Sequence, residues 1–192
     1  MRKVILFVQV SLDGFFEGPK KELDWNMVDD ELHAHILEVL KPAGGFLSGR
    51  ATYELMASVW PTADADPAST PFMKEFAPIW RDMPKVVYSR TLTSAGWNTT
   101  IAREVVREEV EALKARARGD LVVGGGDLGA AFMRLDLIDE YRIYVHPIRI
   151  GEGKRLFPPS KEKVLLRLVE TRTFGNGVVL LRYERLRPGG GS

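Results

Sequence analysis

Three places in the chain carry groups suited to binding anions, two of them built on glycine. The run Val122-Val123-Gly124-Gly125-Gly126-Asp127 ends an apolar segment in three consecutive glycines, directly before a stretch of helical periodicity. Missing side chains let a ligand approach the backbone, and a helix start offers unpaired N–H groups and a partial positive charge to a phosphate. A tight strand-to-helix turn needs fewer glycines, so the run reads as an anion or nucleotide loop. Its spacing matches neither the dinucleotide fingerprint nor the P-loop. Ser48-Gly49-Arg50-Ala51-Thr52 repeats the combination and adds an arginine, and Tyr88-Ser89-Arg90-Thr91 sets hydroxyls and a second arginine after another apolar segment. The planar fork of arginine suits phosphate oxygens. Taken singly, either arginine is an ordinary surface residue; both beside a glycine-rich loop fit a ligand with several phosphates.

Two further segments carry acids. Ser11-Leu12-Asp13-Gly14 is turn-prone by its Asp-Gly pair. Leu23-Asp24-Trp25 leads into Asp29-Asp30, which reads equally well as a helix start with an aromatic packed on it. Other chemistries are closed off by composition. The chain has no cysteine, which removes disulfides, thiolate catalysis and cysteine-bound zinc. Its histidines are His33, His35 and His146, too scattered for a metal site, and no metal is expected. A net charge of +1 argues against a protein built to bind nucleic acid or an anionic membrane.

The elements that must position these residues follow from apolar patterning. Val4–Val10 reads as a strand buried on both faces, too short to span a membrane and without a signal-peptide cleavage site, so cytoplasmic residence is expected. Asp29–Leu40 reads as a helix, with Leu32, Ile36, Val39 and Leu40 at helical spacing. Gly45–Ser48 is a short strand and Ala51–Ala57 a short helix. Pro61–Pro84 is a surface excursion holding a helix around Phe72–Trp80, and Lys85–Ser89 is a strand. Arg103–Ala117 is the clearest helix, with Val106, Val110, Leu113 and Ala117 as its stripe. Leu121–Val123 and Glu140–Ile148 are strands flanking a helix that carries Leu128, Ala131, Phe132 and Leu135. Val164–Phe174 and Val178–Leu186 form a hairpin about Gly175-Asn176-Gly177. Alternating strands and helices ending in a hairpin imply an α/β fold: a mostly parallel sheet, helices on both faces, and an antiparallel edge. One domain over 1–187 and a flexible tail over 188–192 are expected.

These motifs resemble a known family. Leu121–Gly126 with its helix and Tyr141–His146, Gly49-Arg50-Ala51-Thr52-Tyr53-Glu54, and Tyr88-Ser89-Arg90 resemble, in order and approximate spacing, the cofactor segments of dihydrofolate reductases. Val10–Gly14, Asp24-Trp25, Gly124–Gly126, His146-Pro147 and Leu156-Phe157 are similar, more closely, to the reductase half of the riboflavin-biosynthesis deaminase-reductase, as a stand-alone member. The resemblance implies an NADPH-dependent reductase of dihydrofolate-reductase-like fold. It implies that Gly124, Gly125, Gly126 and Asp127 lie against the pyrophosphate and nicotinamide side, and that Gly49, Arg50 and Thr52 hold phosphates. Ser89 and Arg90 would meet the 2′-phosphate, and backbone around Gln9 and Val10 the nicotinamide carboxamide. Asp13, Trp25 and Asp30 would border the substrate pocket, with Asp30 polarising or protonating the substrate. The chain departs from the riboflavin enzymes in two respects. It has no zinc deaminase half, and Gly49–Tyr53 stands where they carry Asp-Asp-Pro.

The implied reaction is hydride transfer from the nicotinamide to a polarised C=N or C=O carbon of a pteridine-like or aminopyrimidine ring. A non-catalytic nucleotide-binding module and a purely structural partner protein are the alternatives. The apolar hairpin residues Val178–Leu181 favour a homodimer.

Overall fold

Strand β1 (Val4–Ser11) occupies the middle of the molecule because nearly every residue in it is apolar and can be covered on both faces. The computed structural model describes residues 2–187; the expected tail at 188–192 lies outside them. Alternate residues of a strand point to opposite faces. Val4, Leu6, Val8 and Val10 accordingly enter one core cluster, and Phe7 packs on the other.

Around β1 the chain builds an eight-stranded sheet. Helix α1 (Asp30–Leu40) leads to strand β3 (Gly45–Gly49), after a short β2 (Phe15–Glu17). Helix α2 (Arg50–Val59), a 3₁₀ turn (Trp60–Thr62) and helix α3 (Pro71–Asp82) lead to β4 (Lys85–Tyr88) and β5 (Thr99–Ala102). Helix α4 (Arg107–Arg116), β6 (Leu121–Gly124), helix α5 (Gly126–Arg134), β7 (Glu140–His146), a short β8 (Lys154–Arg155), β9 (Leu166–Thr173) and β10 (Val179–Arg185) complete the order. The sheet runs β5-β4-β3-β6-β1-β7-β10-β9, parallel except at β10, which is antiparallel to both its neighbours. Residues of α4 and α5 cluster with one face of the sheet, those of α1, α2 and α3 with the other. No helix among the described residues is long and apolar enough to cross a membrane.

Three features differ from the sequence expectation. Helix α4 begins at Arg107, four residues later than expected, because Val106 is extended (φ −111, ψ 127). The residues before it, Thr99–Ala102, form an added parallel strand in register with Lys85–Tyr88. That edge strand is short and partly exposed, so it carries no apolar signature. The third is a two-stranded sheet of β2 and β8, whose pairing joins segments far apart in sequence.

A buried ion cluster fastens the N-terminal end of β7. Glu140 has no exposed surface, and receives Lys3 Nζ at 2.8 Å, Arg142 Nε at 2.6 Å and Arg182 Nε at 2.9 Å. Burial alone would raise its carboxyl pKa, but the hydrogen bonds from Arg182, Lys3 and Arg142 win and hold it at about 2.

Candidate active site

Because β1, β3, β4 and β6 are parallel, their C-terminal ends open on one edge of the sheet. A cleft of about 600 Å³ lies there. It spans four neighbouring strands, or about 14 Å of sheet at the usual inter-strand spacing. Crevices at this edge are where open α/β sheets bind ligands.

Of the residues singled out from sequence, the structure brings Gln9, Gly49, Arg50, Thr52, Ser89, Arg90, Gly125, Gly126 and Asp127 to the lining of this one cleft. Val10 is buried in the core just behind it, and Gly124 closes β6 opposite Ser48. The anion-binding character rests on two helix starts. Gly49 and Gly125 are the N-caps of α2 and α5, and neither helix has a capping side chain. The caps of α1 and α3, by contrast, are filled by Asp29 and Thr70, whose side chains accept from Leu32 N and Met73 N. The first-turn N–H groups at the cleft are thus left for a ligand, with the helix dipoles behind them.

The glycines here have separate reasons. A Cβ on Gly49 would meet no atom within 4 Å, so the position is glycine-compatible open cradle. Gly125 has φ +90, and a Cβ there would stand 2.6 Å from Thr52 Oγ1. A Cβ on Gly126 would overlap the Phe16 ring. The two loops therefore touch, and only glycine permits that approach.

Three arginines stand along the cleft. Arg50 is held by Glu54 at 2.7 Å and by Thr91 Oγ1 at 2.8 Å, half-exposed and screened. Arg90 is exposed and has no hydrogen-bond partner among the described residues. Arg103, which the sequence reading placed inside a helix, donates instead to Ser89 O at 3.0 Å and Leu92 O at 2.8 Å and so fixes the loop that carries Ser89 and Arg90. Ser89 Oγ accepts from Leu92 N at 2.9 Å and keeps its own proton to donate. Phe16, Lys21, Leu23 and Asn26 also line the cleft and were not expected. Lys154 of β8 sits over the Phe16 ring and pairs with Asp127, closing the β2–β8 flap beside the glycine loop.

The two acids and the tryptophan expected at the substrate pocket, Asp13, Asp30 and Trp25, lie apart from this lining. Asp13 spends its carboxylate on the chain itself: it accepts from Ser11 Oγ at 2.7 Å and from Gly151 N at 2.8 Å. These bonds, the Ser11 hydroxyl foremost, hold its pKa below the ordinary value. Asp30 occupies the exposed first position of α1, because the neighbouring Asp29 takes the cap. Trp25 is buried, donates to Glu22 O at 3.2 Å, and stands edge-on to His146 at 5.6 Å.

His146 joins the segment Leu23–Met27, a strap that carries Trp25, to Gln9 in the cleft lining. It is fully buried, its Nδ1 accepts from Met27 N at 3.0 Å, and its Nε2 lies 2.8 Å from Gln9 Oε1. Burial pushes its pKa down to about 4. Among the described residues no group of three potential metal ligands comes together.

Fold and site thus define an α/β protein of dihydrofolate-reductase-like architecture, with a cleft at its strand ends lined by arginines and two helix N-termini. The chain belongs to the RibD C-terminal domain family, whose model matches residues 2–180. It is 34% identical over 184 residues to the uncharacterised protein YyaP of Bacillus subtilis strain 168, covering 95% of each chain. Among solved structures it is similar to a protein of Shewanella sp. PV-4 assigned provisionally to riboflavin biosynthesis, with TM-score 0.74, 22% identity and coverage of 96% and 99%. It is also similar to a diaminohydroxyphosphoribosylaminopyrimidine deaminase/5-amino-6-(5-phosphoribosylamino)uracil reductase of Thermotoga maritima, with TM-score 0.66 and 15% identity. There it covers 96% of this chain and 57% of the other. The family is that of the reductase domain of such proteins.

Proposed function

We propose that the protein is an NADPH-dependent reductase acting on an aminopyrimidine or pteridine-like ring, of the kind handled in riboflavin biosynthesis. The observation that carries this reading is the convergence of two uncapped helix starts with Arg50, Arg90 and Arg103 in one cleft. A dinucleotide with a 2′-phosphate has the charge and length for it. The chemistry of the donor set fits: backbone N–H groups near Gly49 and Gly125 for the pyrophosphate, Ser89 and Arg90 for the extra phosphate. Preference for NADPH over NADH follows from that last pair.

The cofactor, when bound, supplies the hydride from its nicotinamide ring. The chain orients it through the two glycine loops and keeps the pocket dry with Phe16 and Leu23. Trp25 acts here as a positioning residue behind the strap, Asp13 as the clip of the loop after β1, and Asp30 is given no proton transfer. Val178 and Leu180, on which a homodimer was expected, are buried in the core of the chain and offer no contact surface; the homodimer is proposed instead on the exposed Leu165, Leu168 and Val169 of the edge-strand region, with cytoplasmic residence.

The test is titration of the purified protein with NADPH and NADH, followed by tryptophan fluorescence, and then NADPH oxidation with aminopyrimidine and pteridine substrates. NADPH binding at micromolar level, much tighter than NADH, is expected. No binding at millimolar cofactor overturns the reading. Binding without oxidation of NADPH on any ring would leave the binding module.

A further inference from the structure

The helix start at Gly125 carries an acid of its own. Asp127 stands in the first turn of α5, just past the uncapped Gly125, and belongs to the cleft lining. A carboxylate there favours the free helix through its dipole, but it opposes a pyrophosphate bound at the same N–H groups. The chain answers this charge from outside the lining. Lys154 of β8 pairs with Asp127 Oδ1 and stands 4.0 Å from Glu17 Oε1. Three of the described residues in the lining are acids, Glu17, Glu104 and Asp127, and this one half-exposed lysine serves two of them.

Two glycines set Lys154 in place. Glu17 and Lys154 are opposite each other in the β2–β8 pair. Gly153, with φ +141, brings β8 so close to β2 that a Cβ there would overlap Glu17 O. On the side of the cleft Phe16 lies against Gly126, where a Cβ would overlap the ring, and Lys154 Nζ is 5.8 Å from the centre of that ring. The flap itself is slight, with three residues in β2 and two in β8, and so small a two-stranded pair is marginal alone. The buried Leu156 anchors one end of it in the core. The end beside the cleft leans on Gly126 and Asp127, both of the glycine loop.

We infer that Lys154 is a positioning residue for the cofactor: by neutralising Asp127 it lets the N-terminus of α5 take a pyrophosphate, and it thereby couples cofactor occupancy to the seating of the β2–β8 flap. The inference rests on the reductase reading and adds to it a residue outside the cleft lining. Lys154 acts through Asp127 and makes no bond to the cofactor itself.

The proteins compared are the wild type, Lys154→Met, Lys154→Arg, Asp127→Asn and the double variant Lys154→Met/Asp127→Asn. Each is titrated with NADPH by tryptophan fluorescence at two ionic strengths, and hydrogen exchange is followed at residues 15–17 and 154–156 with and without NADPH. Lys154→Met leaves Asp127 uncompensated and should bind NADPH about 5- to 50-fold more weakly at low salt, with a smaller loss at high salt. Asp127→Asn alone leaves the lysine uncompensated and should tighten NADPH about 2- to 5-fold. The double variant should regain most of what Lys154→Met loses, and Lys154→Arg should keep most of the affinity. NADPH should slow exchange on the flap in the wild type and slow it less in Lys154→Met, as reciprocity between the two events requires. Loss of an exposed pair should lower the melting temperature of Lys154→Met by no more than about 2–4 °C, which shows that the variant is folded. Wild-type affinity in Lys154→Met overturns the inference. So does a loss that Asp127→Asn leaves unrelieved, which would give Lys154 a direct bond to the cofactor, and so does flap exchange in the wild type that ignores NADPH. Each of these leaves the reductase reading standing. No NADPH binding by the wild type fails that reading and takes the inference with it.

Discussion

Replacing Gly49 by aspartate should separate folding from cofactor binding, because the same carboxylate acts with opposite signs on the two. Gly49 is the N-cap of α2 with φ −77 and ψ 166, a conformation open to any residue, and a Cβ there meets no atom within 4 Å. Aspartate is a better N-cap than glycine by a few tenths of a kcal/mol, since it accepts from a first-turn N–H. The free protein should therefore melt at the wild-type temperature or slightly above. In the cleft the carboxylate takes the N–H groups that a phosphate would use and adds a like charge beside it. Two unit charges about 5 Å apart repel by about 1 kcal/mol in water and about 3 kcal/mol at the effective dielectric of a protein surface. NADPH should bind roughly 5- to 150-fold more weakly, and the loss should shrink as salt is added. Gly49→Ala is the neutral control, with a smaller loss and no salt dependence. Thermal melts followed by fluorescence titration at two ionic strengths make the measurement. A folded Gly49→Asp protein with wild-type NADPH affinity would falsify the assignment of this loop to phosphate.

Glu140→Gln leaves the partly exposed Lys3, Arg142 and Arg182 around a buried neutral group, and should cost about 1.5–3 kcal/mol in urea unfolding, the range for hydrogen bonds to a charged group; a cost below about 0.5 kcal/mol, the smallest net worth of one hydrogen bond, refutes the cluster's role. For His146 the folded pKa of about 4 lies below the ordinary 6.5, so the unfolded chain binds the extra proton. Stability should be full above about pH 6.5 and fall toward pH 4 by up to about 1.4 kcal/mol per unit, and His146→Gln should flatten that slope; an unchanged slope rejects the buried neutral ring. Gly125→Ala meets both a positive φ and Thr52 Oγ1; adding Thr52→Ala should restore part of the lost melting temperature, never all, and full restoration would show that the backbone is unstrained. Leu168→Glu should convert a dimer to monomer in light scattering, and a wild type that is already monomeric refutes the pairing.

Much of the sheet was legible because burial leaves a compositional mark. Val4–Val10 is apolar at every position but Gln9 because it lies between two other strands and two helical layers. The glycine loops and Arg50 and Arg90 were legible as neighbours because they follow apolar strands directly, and the structure brings them to one cleft. Arg103 was hidden: nothing local distinguishes it from the surface charge of a helix, and its contacts to Ser89 and Leu92 exist only once β5 pairs with β4. Phe16 and Asn26 were hidden for the same reason, since a flap and a strap acquire meaning from what they cover. The family resemblance assigned Asp30 a role at the substrate; sequence alone does not say which of two adjacent acids caps the helix, and Asp29 takes that place. His146 was legible only as part of a family-like His-Pro pair and not in its structural role, because its partners Met27 and Gln9 lie 119 and 137 residues away.

The place of β1 between β6 and β7 has a consequence for synthesis. The first strand made is the most apolar, and its partners Leu121–Val123 and Glu140–His146 are more than a hundred residues downstream. Until these emerge, Val4–Val10 has both edges unpaired, which is the condition that favours aggregation and the action of chaperones. Non-local pairing of this kind also slows folding. Release of the chain short of residue 146 should therefore yield insoluble product, while the same segment shielded by a helical fusion partner stays in solution.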